Sequence, residues 1–210
     1  MRLVLASNNA KKLAELQQLL AGLPLTLVTQ GSLGIAEAEE PHHSFIENAL
    51  AKARHAARAA GGPAIADDSG LCVQALGGAP GVISAHYAGE VPAQVEREAT
   101  RRVQDAANNV RLLRDLAQVD DRRARFVSTL VAIRHVDDPE PLVAVGRWPG
   151  EILREARGTQ GFGYDPLMYI AEAGMTVAQM TAEQKNAISH RARSAALMRE
   201  LMREAWWPDG

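Results

Sequence analysis

"PAIADDSGL", residues 63–71, follows an Ala-rich segment of helical spacing and runs into a second apolar stretch, "LCVQA". A strand arriving straight after an amphipathic helix is the unit from which α/β sheets are assembled. The same alternation opens the chain. "RLVLAS" (2–7) reads as a buried strand, "AKKLAELQQLLAGLP" (10–24) as a helix, and "LTLVTQ" (25–30) as a second strand. Leu13, Leu16, Leu19 and Leu20 fall on one face of that helix, and Gly22 and Pro24 stop it. In "SFIENALAKARHAARAA" (44–60), Ser44 and Glu47 have capping-box spacing, while Phe45, Ala49, Ala53 and Ala56 form an apolar stripe.

Further along, residues 93–117 read as an Arg-rich helix with a solvated face. "RARFVSTLVAIRH" (123–135) and "LVAVGRW" (142–148), joined by "DDPEP", predict an antiparallel hairpin. "TAEQKNAISHRARSAALMRELMREAWW" (181–207) predicts one or two closing helices. Early βαβ alternation followed by a hairpin predicts a mixed sheet covered by helices. No repeat, low-complexity linker or domain boundary interrupts the 210 residues.

Composition narrows the partners. Hydrophobic residues make up 47% and charged residues 23%, enough apolar content for a sizeable core, and the formal net charge is −2. That balance gives no electrostatic drive toward nucleic acid or an anionic membrane, though a local cluster of cations still suits a small phosphorylated ligand. Cys72 is the only cysteine, so no intrachain disulfide forms, and it reads as a small core residue. With neither a secretory leader nor an 18-residue apolar run, a soluble cytoplasmic protein is expected.

Four stretches carry chemistry. "SNNAKK" (7–12) sits where the first strand hands over to the first helix, a turn whose unpaired amides suit a phosphate. Ser7, Asn8 and Asn9 can donate there, and Lys12 can place an ammonium on a polyphosphate; a capped helix with surface lysines fits the same residues. The Gly spacing of a P-loop is missing. Asp67 and Asp68 close a strand end, and Glu39 and Glu40 precede the helix from Ser44. Separated carboxylates of this kind hold Mg²⁺ with several waters left in its shell, whereas an acidic turn needs no metal. "GFGYDP" (161–166) offers two glycines around Phe162, so a flat ligand can stack on the ring while Asp165 accepts from it. A turn with Phe162 and Tyr164 in the core is the plainer reading. "KNAISHR" (185–191) groups Lys185, His190 and Arg191 after the candidate cap Ser189; they can donate to a carbonyl oxygen or a phosphate, or line a solvated face.

Taken in order, "SNNAKK", "FIENALAKA", "ADDSGL", "GAPGVISAHYAG", "GFGYDP" and "KNAISHR" resemble the Ham1/RdgB/ITPA family of nonstandard purine nucleoside triphosphate pyrophosphatases, from residue 3 to about residue 200. The resemblance implies Mg²⁺-dependent cleavage of ITP, dITP and XTP to the monophosphate plus pyrophosphate. It also implies an elongated mixed sheet flanked by helices, a single domain over 1–210 with two lobes and a central cleft, and a homodimer. By the same resemblance Ser7, Asn8, Asn9, Ala10, Lys11 and Lys12 cradle the triphosphate, and Glu39 and Asp68 ligate the metal. Asp68 is then the general base for the attacking water, Lys12 assists catalysis, and Ser69 touches substrate. Phe162, Gly163, Tyr164, Asp165, Lys185, His190 and Arg191 serve the base and phosphate side. Two departures stand out: His86 occupies a position where the family carries Arg, and the segment from Gly89 to Arg122 is longer than in bacterial members. His42 and His43 match no family site. The competing readings are a Maf-like nucleotide pyrophosphatase with other substrates, which "GFGYDP" followed by "ISHR" disfavours, and a nucleotide-binding regulator without turnover.

Overall fold

A computed structural model describes residues 1–92 and 96–208; the side chains of Lys11 and Arg97 lie outside the described residues. Seven strands form one mixed sheet in the order β2-β1-β3-β4-β5-β6-β7. They are β1 (Arg2–Leu5), β2 (Thr26–Thr29), β3 (Ala64–Val73), β4 (Arg123–Ile133), β5 (Leu142–Ile152), β6 (Met168–Ile170) and β7 (Met175–Thr176). β1 pairs in parallel with β2 and β3, whereas β5–β6 and β6–β7 are antiparallel. Among the described residues, five α-helices accompany them: α1 (Ala10–Leu19), α2 (Phe45–Ala60), α3 (Arg97–Asp115), α4 (Ala182–Ile188) and α5 (His190–Trp206). Among the described residues, no helix is long and apolar enough to cross a membrane.

The chain divides into two compact units. Unit 1 comprises residues 1–69, 128–147 and 189–210; unit 2 comprises 70–127 and 148–188. In unit 1 the period-two alternation of strands sorts side chains onto two faces. Leu3 and Leu5 of β1, Ile65 of β3, and Leu130 and Ala132 of β4 pack with Leu16 and Leu20 of α1 and Met198 and Met202 of α5. The intervening residues Val4, Ala64, Ala66, Val131 and Ile133 pack with Ala49, Ala53, Ala56 and Ala57 of α2. The alanine stripe lets α2 lie close to the sheet. In unit 2 a separate core joins Leu71 and Val73 to Leu112 and Leu116 of α3, with Phe126, Trp148, Ile152 and Leu167.

Several local expectations hold in detail. Ser44 caps α2, its hydroxyl accepting from Glu47 N at 3.3 Å and donating to the Glu47 carboxylate at 2.6 Å. Ser189 caps α5 by accepting from Ala192 N at 3.1 Å. Cys72 is buried. The Arg-rich helix begins at Arg97, and residues 93–95 of its expected span lie outside the described residues.

One expectation changes. The acid pair does not close a strand; β3 runs unbroken through Asp67 and Asp68 to Val73. Buried apolar triplets at residues 64–66 and 71–73 fix both ends of the strand, and in its polar middle Ser69 donates to Asp67. Asp67 therefore shares the α1/α5 face with Ile65, and Asp68 shares the α2 face with Ala66.

Gly146 of β5 meets α5 backbone directly. A methyl group there would strike the His190 carbonyl oxygen and sit 2.6 Å from Ser194 N. Gly146→Ala is expected to cost about 3 kcal/mol, since backbone on a capped helix cannot yield as a side-chain tip does. Chemical denaturation measures this, and an unchanged midpoint would contradict the close packing.

Candidate active site

Two neighbouring carboxylates on one strand obtain opposite surroundings because they face opposite ways. Asp67 is fully enclosed, with 1% of its surface exposed. Its Oδ1 accepts from Ser128 Oγ of β4 at 3.0 Å. Its Oδ2 accepts from Ser69 Oγ at 3.2 Å, from Lys12 Nζ of α1 at 2.9 Å and from Arg191 Nη2 of α5 at 3.3 Å. Burial by itself would push this carboxyl upward, but Lys12 and Arg191 outweigh it and hold it far below the usual carboxylate range. Arg191 is itself 2% exposed and reaches Glu15 of α1 through Nη1. Ser194 bonds both Ser128, at 2.9 Å, and the Arg191 carbonyl, at 3.1 Å. The α1/α5 face thus carries a polar network in which each charge has an opposite neighbour.

Asp68 is less completely answered. Its Oδ1 accepts from Lys52 Nζ at 3.1 Å, and the same ammonium holds Glu40 Oε1 at 3.1 Å. Its Oδ2 is buried and has no hydrogen-bond partner. Burial dominates here, and with Glu40 as a like charge it outweighs Lys52, pushing the Asp68 carboxyl up to about 6. Burial lowers the Lys52 ammonium, but Asp68 and Glu40 more than compensate and raise it above its ordinary value. A buried carboxylate oxygen lacking a donor, next to a second acid, is a setting that a hard divalent cation satisfies. Among the described residues, no group of three or more His, Cys, Asp or Glu side chains is gathered for a metal.

The phosphate turn is built from its own side chains. Ser7 Oγ accepts from Asn9 N at 3.1 Å, and Asn9 Oδ1 accepts from Lys12 N at 3.3 Å, setting the start of α1 at Ala10. Asn8 Nδ2 donates to Glu37 Oε1 at 3.1 Å. Glu39 is exposed.

Unit 2 gathers the second set of predicted residues. Lys185 Nζ lies 2.8 Å from Asp165 Oδ2 and 4.6 Å from the centroid of the Phe162 ring. Asp165 Oδ2 also accepts from Phe162 N at 3.0 Å. Gly163 is held from α3 on both sides, its N–H by Asp105 at 2.8 Å and its carbonyl by Asn109 at 2.9 Å. Its φ of +62° suits a residue without a side chain. Tyr164 is buried, donating from its hydroxyl to the Ser84 carbonyl at 2.8 Å, so it is a core residue.

The profile of the Ham1 family matches residues 3–201. This chain belongs to the Ham1 family. It is 69% identical over 206 residues to a dITP/XTP pyrophosphatase of Methylibium petroleiphilum, covering 98% of this chain and 99% of that one. A dITP/XTP pyrophosphatase of Leptothrix cholodnii is also 69% identical, over 98% of this chain and 99% of its own length. Among solved structures, a HAM1 protein from Coxiella burnetii superposes with a TM-score of 0.88 at 41% identity, over 98% of this chain and all of that one. The seven-stranded mixed sheet flanked by helices is thus the Ham1 fold.

Within this Ham1 chain the structure brings Lys12, Ser69 and Arg191 to Asp67, and joins Phe162, Asp165 and Lys185. His190 is buried at the start of α5. Sequence reasoning passed over Lys52, Glu15 and Ser128. Lys52 was traceable, because it lies two helical turns beyond the Ser44 cap, on the edge of an otherwise alanine-lined helix. Glu15 and Ser128 left no local signal, since each meets its partners only through the fold.

Proposed function

We propose that this chain is a Mg²⁺-dependent dITP/XTP pyrophosphatase, acting on ITP, dITP and XTP to give the monophosphate and pyrophosphate. The observation that carries the reading is Asp68, a buried carboxylate with an unpartnered oxygen beside Lys52 and Glu40. Supporting it is near full-length identity to two proteins named for that activity. Asp68 and Glu39 would hold Mg²⁺, with Glu40 next along the chain on Lys52. Bound there, the cation would neutralise phosphate charge and make the α-phosphorus more electrophilic.

The protein's own groups supply the rest. Water attacks the α-phosphorus, its proton passing to the Asp68 carboxylate, and the bond to the bridging oxygen breaks as pyrophosphate departs. The Ser7–Lys12 turn binds the phosphates at a helix start, where amides and dipole both favour an anion. Lys12 can exchange Asp67 for phosphate at modest cost, because Arg191 and Ser128 remain to satisfy that buried acid. Within unit 2, Phe162, Lys185 and Asp165 gather a ring, a donor and an acceptor, a set that suits a purine.

Product analysis tests the reading. Protein incubated with dITP, XTP, ITP, ATP, GTP and dTTP is expected to release pyrophosphate from the first three only, and EDTA is expected to abolish it. Orthophosphate as product, a preference for dTTP, or full turnover in EDTA would each overturn it.

A further inference from the structure

The segment of residues 35–43, which carries Glu39 and Glu40, has no helix or strand of its own and is mostly exposed. Little apolar burial holds it, yet a carboxylate serving a metal needs a fixed place. Its ties are polar, and three of them come from one side of α2. Asn48 is fully buried; its Oδ1 accepts from His42 N at 3.0 Å and its Nδ2 donates to His42 O at 3.3 Å. One turn later Lys52 holds Glu40, and one turn beyond that His55 Nε2 donates to Ala36 O at 3.0 Å. With the cap Ser44, positions 44, 48, 52 and 55 follow helical spacing and form a single polar edge.

Lys52 alone is a poor anchor, because any cation arriving at Asp68 competes with its ammonium. Asn48 is uncharged and grips backbone atoms, so its hold survives an exchange of charges. We propose that Asn48 and His55 are positioning residues for the metal: they fix residues 36–42 on α2, so that the Glu39–Glu40 pair is in place before the cation binds. The inference rests on the reading of Asp68 and Glu39 as the metal pair. Pre-ordering the segment spares metal binding the entropy of arresting it.

The test compares Asn48→Ala, His55→Ala and His55→Gln with the unaltered protein. The first readout is the Mg²⁺ concentration giving half-maximal dITP turnover, and the second is hydrogen exchange at the amides of residues 36–43. The two alanine variants are expected to need about tenfold more Mg²⁺, as outer-sphere substitutions at metal sites do. Their kcat at saturating Mg²⁺ should stay within about twofold of the unaltered protein, because no group touching substrate has been removed. Exchange should quicken in residues 36–43 and not in β3. His55→Gln restores an N–H near the Nε2 position and should recover both readouts. Should Asn48→Ala fail to fold, the two His55 variants decide. An unchanged Mg²⁺ requirement, or unchanged exchange in that segment, overturns the positioning role. Full turnover of the unaltered protein in EDTA would instead remove the metal reading itself, so the two failures are distinguishable.

Discussion

Replacing Asp68 by Asn is expected to leave a folded protein whose dITP turnover falls by about a thousandfold, the range for losing a positioned general base. The amide keeps the shape and can still face Lys52, which retains Glu40. On the proposed reading, removing the charge takes away both the proton acceptor and the anion that attracts a cation. The same group predicts a pH profile. Burial and Glu40 push the Asp68 carboxyl up to about 6, so kcat/KM should climb as pH rises through that value. Saturating Mg²⁺ should move the inflection to lower pH by stabilising the carboxylate. Stability runs the other way. A carboxyl raised in the folded state holds its proton more tightly than in the unfolded chain. Its contribution is full below the ordinary value of about 4 and is lost as pH climbs through about 6. Asp67, held low, contributes above the ordinary value and loses that contribution on acidification. Thermal midpoints between pH 4.5 and 7.5 should therefore show the Asp68→Asn variant gaining on the native protein as pH rises. Unchanged kcat in the variant, or a midpoint difference flat in pH, would sink the assignment.

Arg191→Ala should strongly destabilise unit 1. Arg191 is 2% exposed and stands between Glu15 and Asp67, with Ser69 at 3.3 Å. Truncation leaves two acids short of a cation and opens a void, a combination costing about 3–5 kcal/mol. For a chain of this size that is about 10 °C in thermal midpoint. Arg191→Lys should recover part of the loss, since a single ammonium cannot serve both carboxylates as the guanidinium does. A midpoint within 2 °C of the native protein, on the scale of about 2–4 °C per kcal/mol, would mean that Asp67 is satisfied without Arg191.

The fold was legible wherever a pattern repeats locally. Period-two strands, the alanine stripe of α2 and the caps Ser44 and Ser189 each follow from a few neighbouring residues. The acid pair was legible as a polar cluster but not as two carboxylates in different surroundings. Adjacency in sequence suggests a shared role, while strand alternation sends Asp67 to Lys12 and Arg191 and Asp68 to Lys52. Arg191 illustrates the limit most sharply. Its neighbours in "KNAISHR" suggest a donor to a ligand, yet its partners in space lie 124 and 176 residues away in the chain, and both are carboxylates. No local window contains that information. Lys185, Asp165 and Phe162 were easier, because twenty residues separate the first two and both belong to recognisable polar clusters.

The division of the chain has a bearing on damaged genes. Unit 1 is assembled from three separate stretches and unit 2 from two, so the polypeptide changes unit after residues 69, 127, 147 and 188. A premature stop at residue 189 would leave every segment of unit 2 encoded and would still delete α5 from unit 1, and with it the cation between Glu15 and Asp67. Late nonsense changes in this chain should therefore disrupt unit 1 even where every segment of unit 2 is present.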